Sequence, residues 1–323
     1  MALTIWCNAS FGEAAARLLA DGVRGHAFAY AEATSANVLE AGRSDPALRL
    51  ADIAFGQPEP GDCLASARLR WVEVTTAGYT RYDTPAFREP FRARGAAFTN
   101  ASGVFADPCA QHVLAMILAL GRQLLPSARD QATDHSWHFF ERRRDSRLLT
   151  GQTVLLLGFG AIGRRLAELL APFGVTLYAV RRQRRSEPGV RIVPEEELTR
   201  VLPLADHVVD LLSDNESTRS YVNARRLGWF KPGARFYNVG RGTTVDHRAL
   251  AEALRSGRLD AAYLDVFETE PLPPDDPLWT TPRCHLTPHT AGGRGDQDEA
   301  IVRHFLGNLA AFERGGTLTD RIL

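Results

Sequence analysis

The chain lacks an excess of charge of either sign. Its 38 lysines and arginines are balanced by 38 aspartates and glutamates. A general polyanion binder carries a basic surplus that draws phosphate in, so no nucleic-acid partner is expected. Cysteine is scarce: Cys7, Cys63, Cys109 and Cys284 lie far apart, and none forms a C-x-x-C pair. That spacing signals neither a zinc knuckle nor a dithiol redox motif, and it suits reduced thiols in the cytoplasm. Long apolar runs are missing too. The longest, HVLAMILAL, falls short of the ~20 residues that span a bilayer. The first residues lack the charged-then-apolar pattern of a signal peptide. The expectation is a cytoplasmic protein with no membrane partner. No internal repeat is evident.

What is there is length and alternation. At 323 residues, the chain exceeds one typical core, and two domains are expected. The N-terminal third alternates short apolar strands with helical stretches: LTIWC, FGEAAARLLADG, LRLADIAFG, LRWVEVTT. Such alternation predicts a parallel sheet with helices on its faces. One long helix is predicted from PCAQHVLAMILALGRQLL, with Asp107 as its cap and Pro108 in its first turn.

The clearest strand is TVLLLGFGAIG. Its continuous branched apolar residues suit a strand buried on both faces. Gly158, Gly160 and Gly163 then fit G-x-G-x-x-G, followed by the helix RRLAELLAPFG and the strand VTLYAV. Within a βαβ unit that motif binds a dinucleotide. The first glycine permits the tight turn. The second lets a pyrophosphate approach the helix N-terminus at Gly160, Ala161 and Ile162. The third lets helix and strand pack closely. Further strand-like runs follow, VLPLADHVVDLLS, ARFYNVGRG, LDAAYLDVFE and CHLTPHT, with the helical patterns STRSYVNARRLGWF and DHRALAEALRSG between them. The pattern is a doubly wound sheet, with ligand contacts at strand C-termini.

The strand VTLYAV ends in RRQRRS, and Arg181 lies 23 positions past Gly158 (181 minus 158). An NAD enzyme usually places an acid about 20 residues past the glycines to bind the ribose 2′-hydroxyl. This chain has no acid there until Glu187. Arg181 and Arg182 stand there instead, and a guanidinium grips a 2′-phosphate through charge-assisted hydrogen bonds. NADP(H) is therefore the expected cofactor, with NAD(H) as the alternative. Arg184 and Arg185 are expected to be solvated.

Three charged residues sit in strand-end turns: Arg241 in YNVGRGTTVD, Glu270 in LDVFETEP and His289 in LTPHTAGG. An arginine binds a carboxylate through paired hydrogen bonds, a histidine exchanges a proton near neutral pH, and a carboxylate orients that histidine. Together they meet the needs of hydride reduction of a 2-keto acid.

These motifs, in this order, resemble the D-isomer-specific 2-hydroxyacid dehydrogenase family. The shared stretches are LLTGQTVLLLGFGAIG, NVGRG, DVFETEP and LTPHTAGG, together with TTAGYTRYD and TNASGVFADPCAQHVLAMILAL upstream. The resemblance implies two doubly wound α/β domains. A Rossmann-like cofactor domain, residues 99–290, is inserted into a flavodoxin-like substrate domain, residues 1–98 plus 291–323. It also implies a homodimer with its active site in an interdomain cleft. Arg241 matches the substrate-orienting arginine, Glu270 the carboxylate that partners the histidine, and His289 the acid/base. Asp265 matches a residue near the nicotinamide carboxamide, although it also suits capping of local amides. The strand end LLSDNEST departs from the family, many of whose members carry a proline-containing turn there, and Leu212 and Ser213 are expected to contact the cofactor mainly by backbone. Val239 and Gly240 match cofactor contacts, and Gly78 and Tyr79 match the substrate-carboxylate cradle. The resemblance points to glyoxylate or hydroxypyruvate as substrate. A 3-phosphoglycerate dehydrogenase and a non-enzymatic nucleotide-sensing regulator are the alternatives.

Other residues are less informative. His135 and His138 lie beside Asp134 but have no third ligand, so no metal site is expected. Trp137, in a basic aromatic segment read as a dimer arm, either lines a substrate pocket or packs in the interface. Tyr79 and Tyr82 either line the pocket or belong to the core. His112 matches no catalytic position.

Overall fold

A computed structural model describes residues 2–35, 42–181 and 186–323. Two compact units divide the chain: Met1–Phe105 with Arg294–Leu323, and Ala106–Gly293.

The first unit begins with β1 (Thr4–Ala9), α1 (Glu13–Gly22), β2 (Ala27–Ser35), β3 (Ile53–Gly56), α2 (Pro60–Ala65), β4 (Trp71–Val74), α3 (Pro85–Ala93) and β5 (Ala97–Thr99). The sheet runs β2-β1-β3-β4-β5 and all its pairings are parallel. This is the flavodoxin-like order. β1, β3 and β4 are buried along almost their full length, as expected of strands covered on both faces.

The chain crosses into the second unit along α4 (Ser102–Gly121) and continues through α5 (Leu124–Ala132) and α6 (Phe139–Asp145). Then come β6 (Thr153–Leu157), α7 (Ala161–Leu170), β7 (Thr176–Val180), β8 (Arg191–Val193), α8 (Leu198–Val201), β9 (His207–Asp210), α9 (Ala224–Leu227), β10 (Ala234–Asn238), α10 (His247–Arg255), β11 (Leu259–Leu264) and β12 (Cys284–Leu286). The sheet order is β12-β11-β10-β9-β6-β7-β8, again all parallel. It is the dinucleotide-fold order with one strand added, and the strand sequence reverses direction at β6 and β9, where such folds bind ligands. Last, α11 (Gln297–Glu313) returns to the first unit.

Two expected helices differ from those observed. α4 starts at Ser102, ahead of Pro108, so Asp107 is not its cap. The Asp107 carboxylate instead accepts from Arg165 Nε at 2.6 Å and from Gln111 at 2.8 Å. The helix stops at Gly121, and Gln123 takes a left-handed φ of 59° before α5 begins. Of STRSYVNARRLGWF, only Ala224–Leu227 is α-helical, capped by Asn223. Val222 bridges in parallel to Val245 and Ser220 has a φ of 48°, so the preceding residues are held out of helix. By length and composition α4 also reaches membrane-spanning size, which the apolar run alone did not suggest. Its Ala110, Val113 and Ile117 are buried within the protein.

The returning α11 completes the first core. Phe305 stacks on Phe55 at 4.0 Å and on Trp71 at 5.3 Å. Beside them, the fully buried Glu73 accepts from Thr99 Oγ1 at 3.0 Å, Asn308 Nδ2 at 2.7 Å and His304 Nδ1 at 3.1 Å. Nε2 of His304 lies 3.2 Å from an Asp320 carboxylate oxygen. Burial opposes charge on His304, but its contacts with Asp320 and Glu73 outweigh that and push its pKa up to about 9.

Candidate active site

The glycine turn after β6 has the shape its sequence predicts. Gly158 has a φ of 95°, a region that only glycine enters readily, and an added Cβ would sit 3.1 Å from the Leu211 carbonyl oxygen. At Gly163 a Cβ would come 3.2 Å from the Gly158 carbonyl. At Gly160 a Cβ would meet nothing within 4 Å. Gly160 is also the N-cap of α7 and supplies no side chain to satisfy the first amides. Open space in front of uncapped amides, at the positive end of a ten-residue helix, fits a pyrophosphate.

The neighbouring strand ends close around this turn. Asp210 ends β9, is fully buried, and accepts from the Leu212 amide at 3.0 Å and the Thr244 hydroxyl at 2.7 Å. Burial pushes its pKa up to about 7 despite those bonds. A Cβ at Gly240 would lie 2.7 Å from the Leu212 carbonyl oxygen, so the Val239–Gly240 backbone runs against Leu212. The adjoining Ser213 carbonyl accepts the Thr218 hydroxyl at 2.7 Å.

Arg181 lies at the end of β7 but is not an open cation. Its Nη1 is 2.9 Å from Glu187 Oε1, and both side chains are largely covered. The residue read as the missing acid is therefore the partner of the arginine read as the phosphate ligand. Arg182 lies outside the described residues.

Arg241 is held by its own turn. Asn238 donates to the Arg241 carbonyl at 2.9 Å and accepts from the Gly240 amide at 2.9 Å. Gly242 allows the next step: a Cβ there would fall 1.9 Å from the carbonyl carbon of Phe267. The Arg241 turn thus lies directly on the turn that carries Glu270. Burial lowers the pKa of Arg241, and Glu270 and Asp214 partly offset this.

Glu270 Oε1 accepts the Phe267 amide at 2.8 Å, and Oε2 lies 2.7 Å from His289 Nδ1. Burial alone would raise the Glu270 pKa. The His289 and Phe267 hydrogen bonds, with the charges of His289 and Arg241, lower it instead. His289 sits at a φ of 54°, unusual for a non-glycine residue.

Asp265, only 1% exposed, is engaged on both oxygens. Oδ1 accepts from Thr287 Oγ1 at 2.5 Å and the Thr290 amide at 2.8 Å, and Oδ2 accepts from the Ala291 amide at 2.9 Å. It caps the amides of the His289 turn. Sequence reasoning missed Asn238, Thr244, Asp210 and Thr287 as supports of this site. Only their places at the ends of β-strand runs marked them.

Gly78 and Tyr79 belong to the first unit. There the Thr76 hydroxyl donates to the Gly78 carbonyl at 2.6 Å, and Gln57 donates to Thr76 at 3.1 Å. Tyr82 is a core residue whose hydroxyl donates to the Pro58 carbonyl at 2.6 Å. Trp137 is 90% exposed. Among the described residues, no cluster of three His, Cys, Asp or Glu side chains is placed to hold a metal ion.

Residues 114–291 match the family model described as "D-isomer specific 2-hydroxyacid dehydrogenase, NAD binding domain". The chain belongs to the D-isomer specific 2-hydroxyacid dehydrogenase family. As a member it is an oxidoreductase with a nicotinamide-nucleotide-binding domain. A glyoxylate reductase of Korarchaeum cryptofilum is 31% identical over 258 residues, 78% of this chain and 75% of its own length. A glyoxylate/hydroxypyruvate reductase A of Salmonella paratyphi B is 32% identical over 209 residues, 60% of this chain and 66% of the relative. The crystal structure of a D-isomer specific 2-hydroxyacid dehydrogenase from Xanthobacter autotrophicus Py2, in complex with NADPH and MES, is 26% identical. It covers 100% of this chain and 98% of its own, with a TM-score of 0.81. The two parallel-sheet domains are those of this family.

Proposed function

We propose that this dehydrogenase works as a reductase of a small 2-keto acid, glyoxylate or hydroxypyruvate, with NADPH preferred over NADH. The observation that carries the reading is the His289–Glu270 pair at 2.7 Å, set against the Arg241 turn at the C-terminal ends of the strands. The reductases of K. cryptofilum and S. paratyphi B support the substrate class.

A bound nicotinamide nucleotide supplies the hydride. Gly158, Gly160, Ala161, Ile162 and Gly163 hold its pyrophosphate, while Leu212, Ser213, Val239 and Gly240 line its path. Arg181 and Arg182 take the 2′-phosphate. Arg241 grips the substrate carboxylate. The Nδ1–H of His289 donates to Glu270, which fixes the ring and leaves Nε2 to protonate the carbonyl oxygen. Glu270, ionised by the contacts that lower its pKa, balances the imidazolium before transfer. Asp265 holds the turn that presents the ring.

We also propose that the enzyme is a cytoplasmic homodimer. All four cysteines are free thiols. The exposed Leu124, Trp137, Phe139, Phe140 and Leu148 concentrate apolar surface in one arm. Light scattering of the purified chain tests the dimer.

Oxidation of NADPH and NADH with a panel of small 2-keto acids tests the catalytic reading. Glyoxylate or hydroxypyruvate is expected to be turned over best with NADPH. His289→Ala is expected to lose most of kcat, and near-normal turnover by that variant sinks the assignment.

A further inference from the structure

His289 is a β-carbon-bearing residue in left-handed backbone, a conformation that persists only where its surroundings impose it. The imposing group is Asp265. Its carbonyl accepts the His289 amide at 2.8 Å, and its carboxylate takes the next two amides and the Thr287 hydroxyl. The contacts continue outward. The Thr287 hydroxyl is in hydrogen-bond contact with the Tyr263 hydroxyl, which lies 2.6 Å from Nε2 of His112 on α4. The His112 and Tyr263 rings stack at 5.5 Å.

Counting protons gives this chain a direction. A carboxylate that receives two backbone amides only accepts, so Thr287 must donate to Asp265. Thr287 has one proton, so Tyr263 must donate to Thr287. The Tyr263 proton is then spent, and Nε2 of His112 must carry a hydrogen and donate to Tyr263. The series runs one way, from His112 through Tyr263 and Thr287 to Asp265.

We propose that His112, Tyr263 and Thr287 are positioning residues that act through Asp265 to hold the His289 ring in its reactive place. The relay rests on the assignment of His289 as proton donor, and it gives a role to a histidine that touches neither Arg241 nor Glu270. Each donor keeps Asp265 anchored against β11 and β12, so the left-handed turn cannot relax. A small misplacement of an acid/base group costs rate far more than binding.

The test uses His112→Ala, His112→Gln, Tyr263→Phe and Thr287→Val in the full-length enzyme with glyoxylate and NADPH. Tyr263→Phe and His112→Ala are expected to lower kcat roughly tenfold with KM changed less than about twofold. His112→Gln, which keeps a side-chain N–H, is expected to restore most of the loss. The double variant His112→Ala/Tyr263→Phe should be no slower than Tyr263→Phe alone, since both break one chain. Nitrogen NMR of the His289 ring, without substrate or cofactor, should show altered resonances in Tyr263→Phe and wild-type ones in His112→Gln. Unchanged kcat and unchanged ring resonances in His112→Ala and Tyr263→Phe overturn the relay. So does a His112→Gln variant as impaired as His112→Ala. If Tyr263→Phe fails to fold, the two His112 variants decide the question. His289→Ala run in parallel separates the two ideas: turnover retained there removes the proton-donor reading, whereas the ring resonances still report whether the relay holds the turn.

Discussion

One oxygen of the Glu270 carboxylate receives the Phe267 amide at 2.8 Å while the other meets Nδ1 of His289 at 2.7 Å. Glu270 is therefore oriented by the backbone before it orients the imidazole. Glu270→Gln keeps the shape but removes the charge, and the amide then has to choose which group faces the ring. A loss of about 10²-fold in kcat is expected. Because the Glu270 pKa is lowered from 4.5, the wild-type pairing is intact above that pH and lost only as pH falls through the depressed value. Steady-state rates from pH 4 to 10 check both statements.

Arg241 is seated by a turn that tolerates little change. Arg241→Lys retains charge but not the planar fork, and kcat/KM for the keto acid is expected to fall about 10²-fold. Gly242→Ala should be worse for the fold than for binding. Its new methyl group would overlap the Phe267 backbone, and overpacking of this kind typically costs 1–3 kcal/mol or more. Urea unfolding of the two variants separates these effects: only Gly242→Ala should lose stability.

Glu187 bears on cofactor choice. With Arg181 already paired at 2.9 Å, a 2′-phosphate has to displace a carboxylate. Glu187→Gln is expected to tighten NADPH binding several-fold, and Arg181→Ala to weaken it roughly tenfold or more, with NADH changed by less than twofold in either. Fluorescence titration measures both. Equal weakening of the two nucleotides by Arg181→Ala removes Arg181 from phosphate recognition.

His304 predicts a pH-dependent stability. Its folded pKa of about 9 is raised from 6.5, so its contribution is complete below pH 6.5 and disappears as pH rises through about 9. The amount is on the order of 3 kcal/mol. Denaturant midpoints between pH 6 and 10 should fall across that window, and His304→Asn should flatten the fall.

The fold was legible where chemistry is local. Gly158 announced the turn because its φ of 95° favours glycine, Gly163 because a Cβ there would crowd the Gly158 carbonyl, and the buried strand before them is continuous in apolar residues. The contact of Glu270 with His289 was legible from their strand-end motifs. Partnerships across long separations were not. Glu73 and His304 lie 231 residues apart, and neither stands out in its own segment. Asp107 read as a helix cap because aspartate before proline is a common start. The helix began earlier, and Asp107 was engaged by Arg165 on α7. His112 looked idle because its partner, Tyr263, is 151 residues away.

The interruption of the first unit orders events during synthesis. Ala106–Gly293 is continuous and emerges as a complete folding unit, but the first sheet waits for Arg294–Leu323. Until then Glu73 lacks His304 and Asn308, and Phe55 and Trp71 lack Phe305. A carboxylate left with the Thr99 hydroxyl alone is a poor occupant of an apolar interior. The nascent chain therefore carries a finished nucleotide domain while the first sheet is still unfinished, and Arg294–Leu323 acts as the latch that closes that sheet.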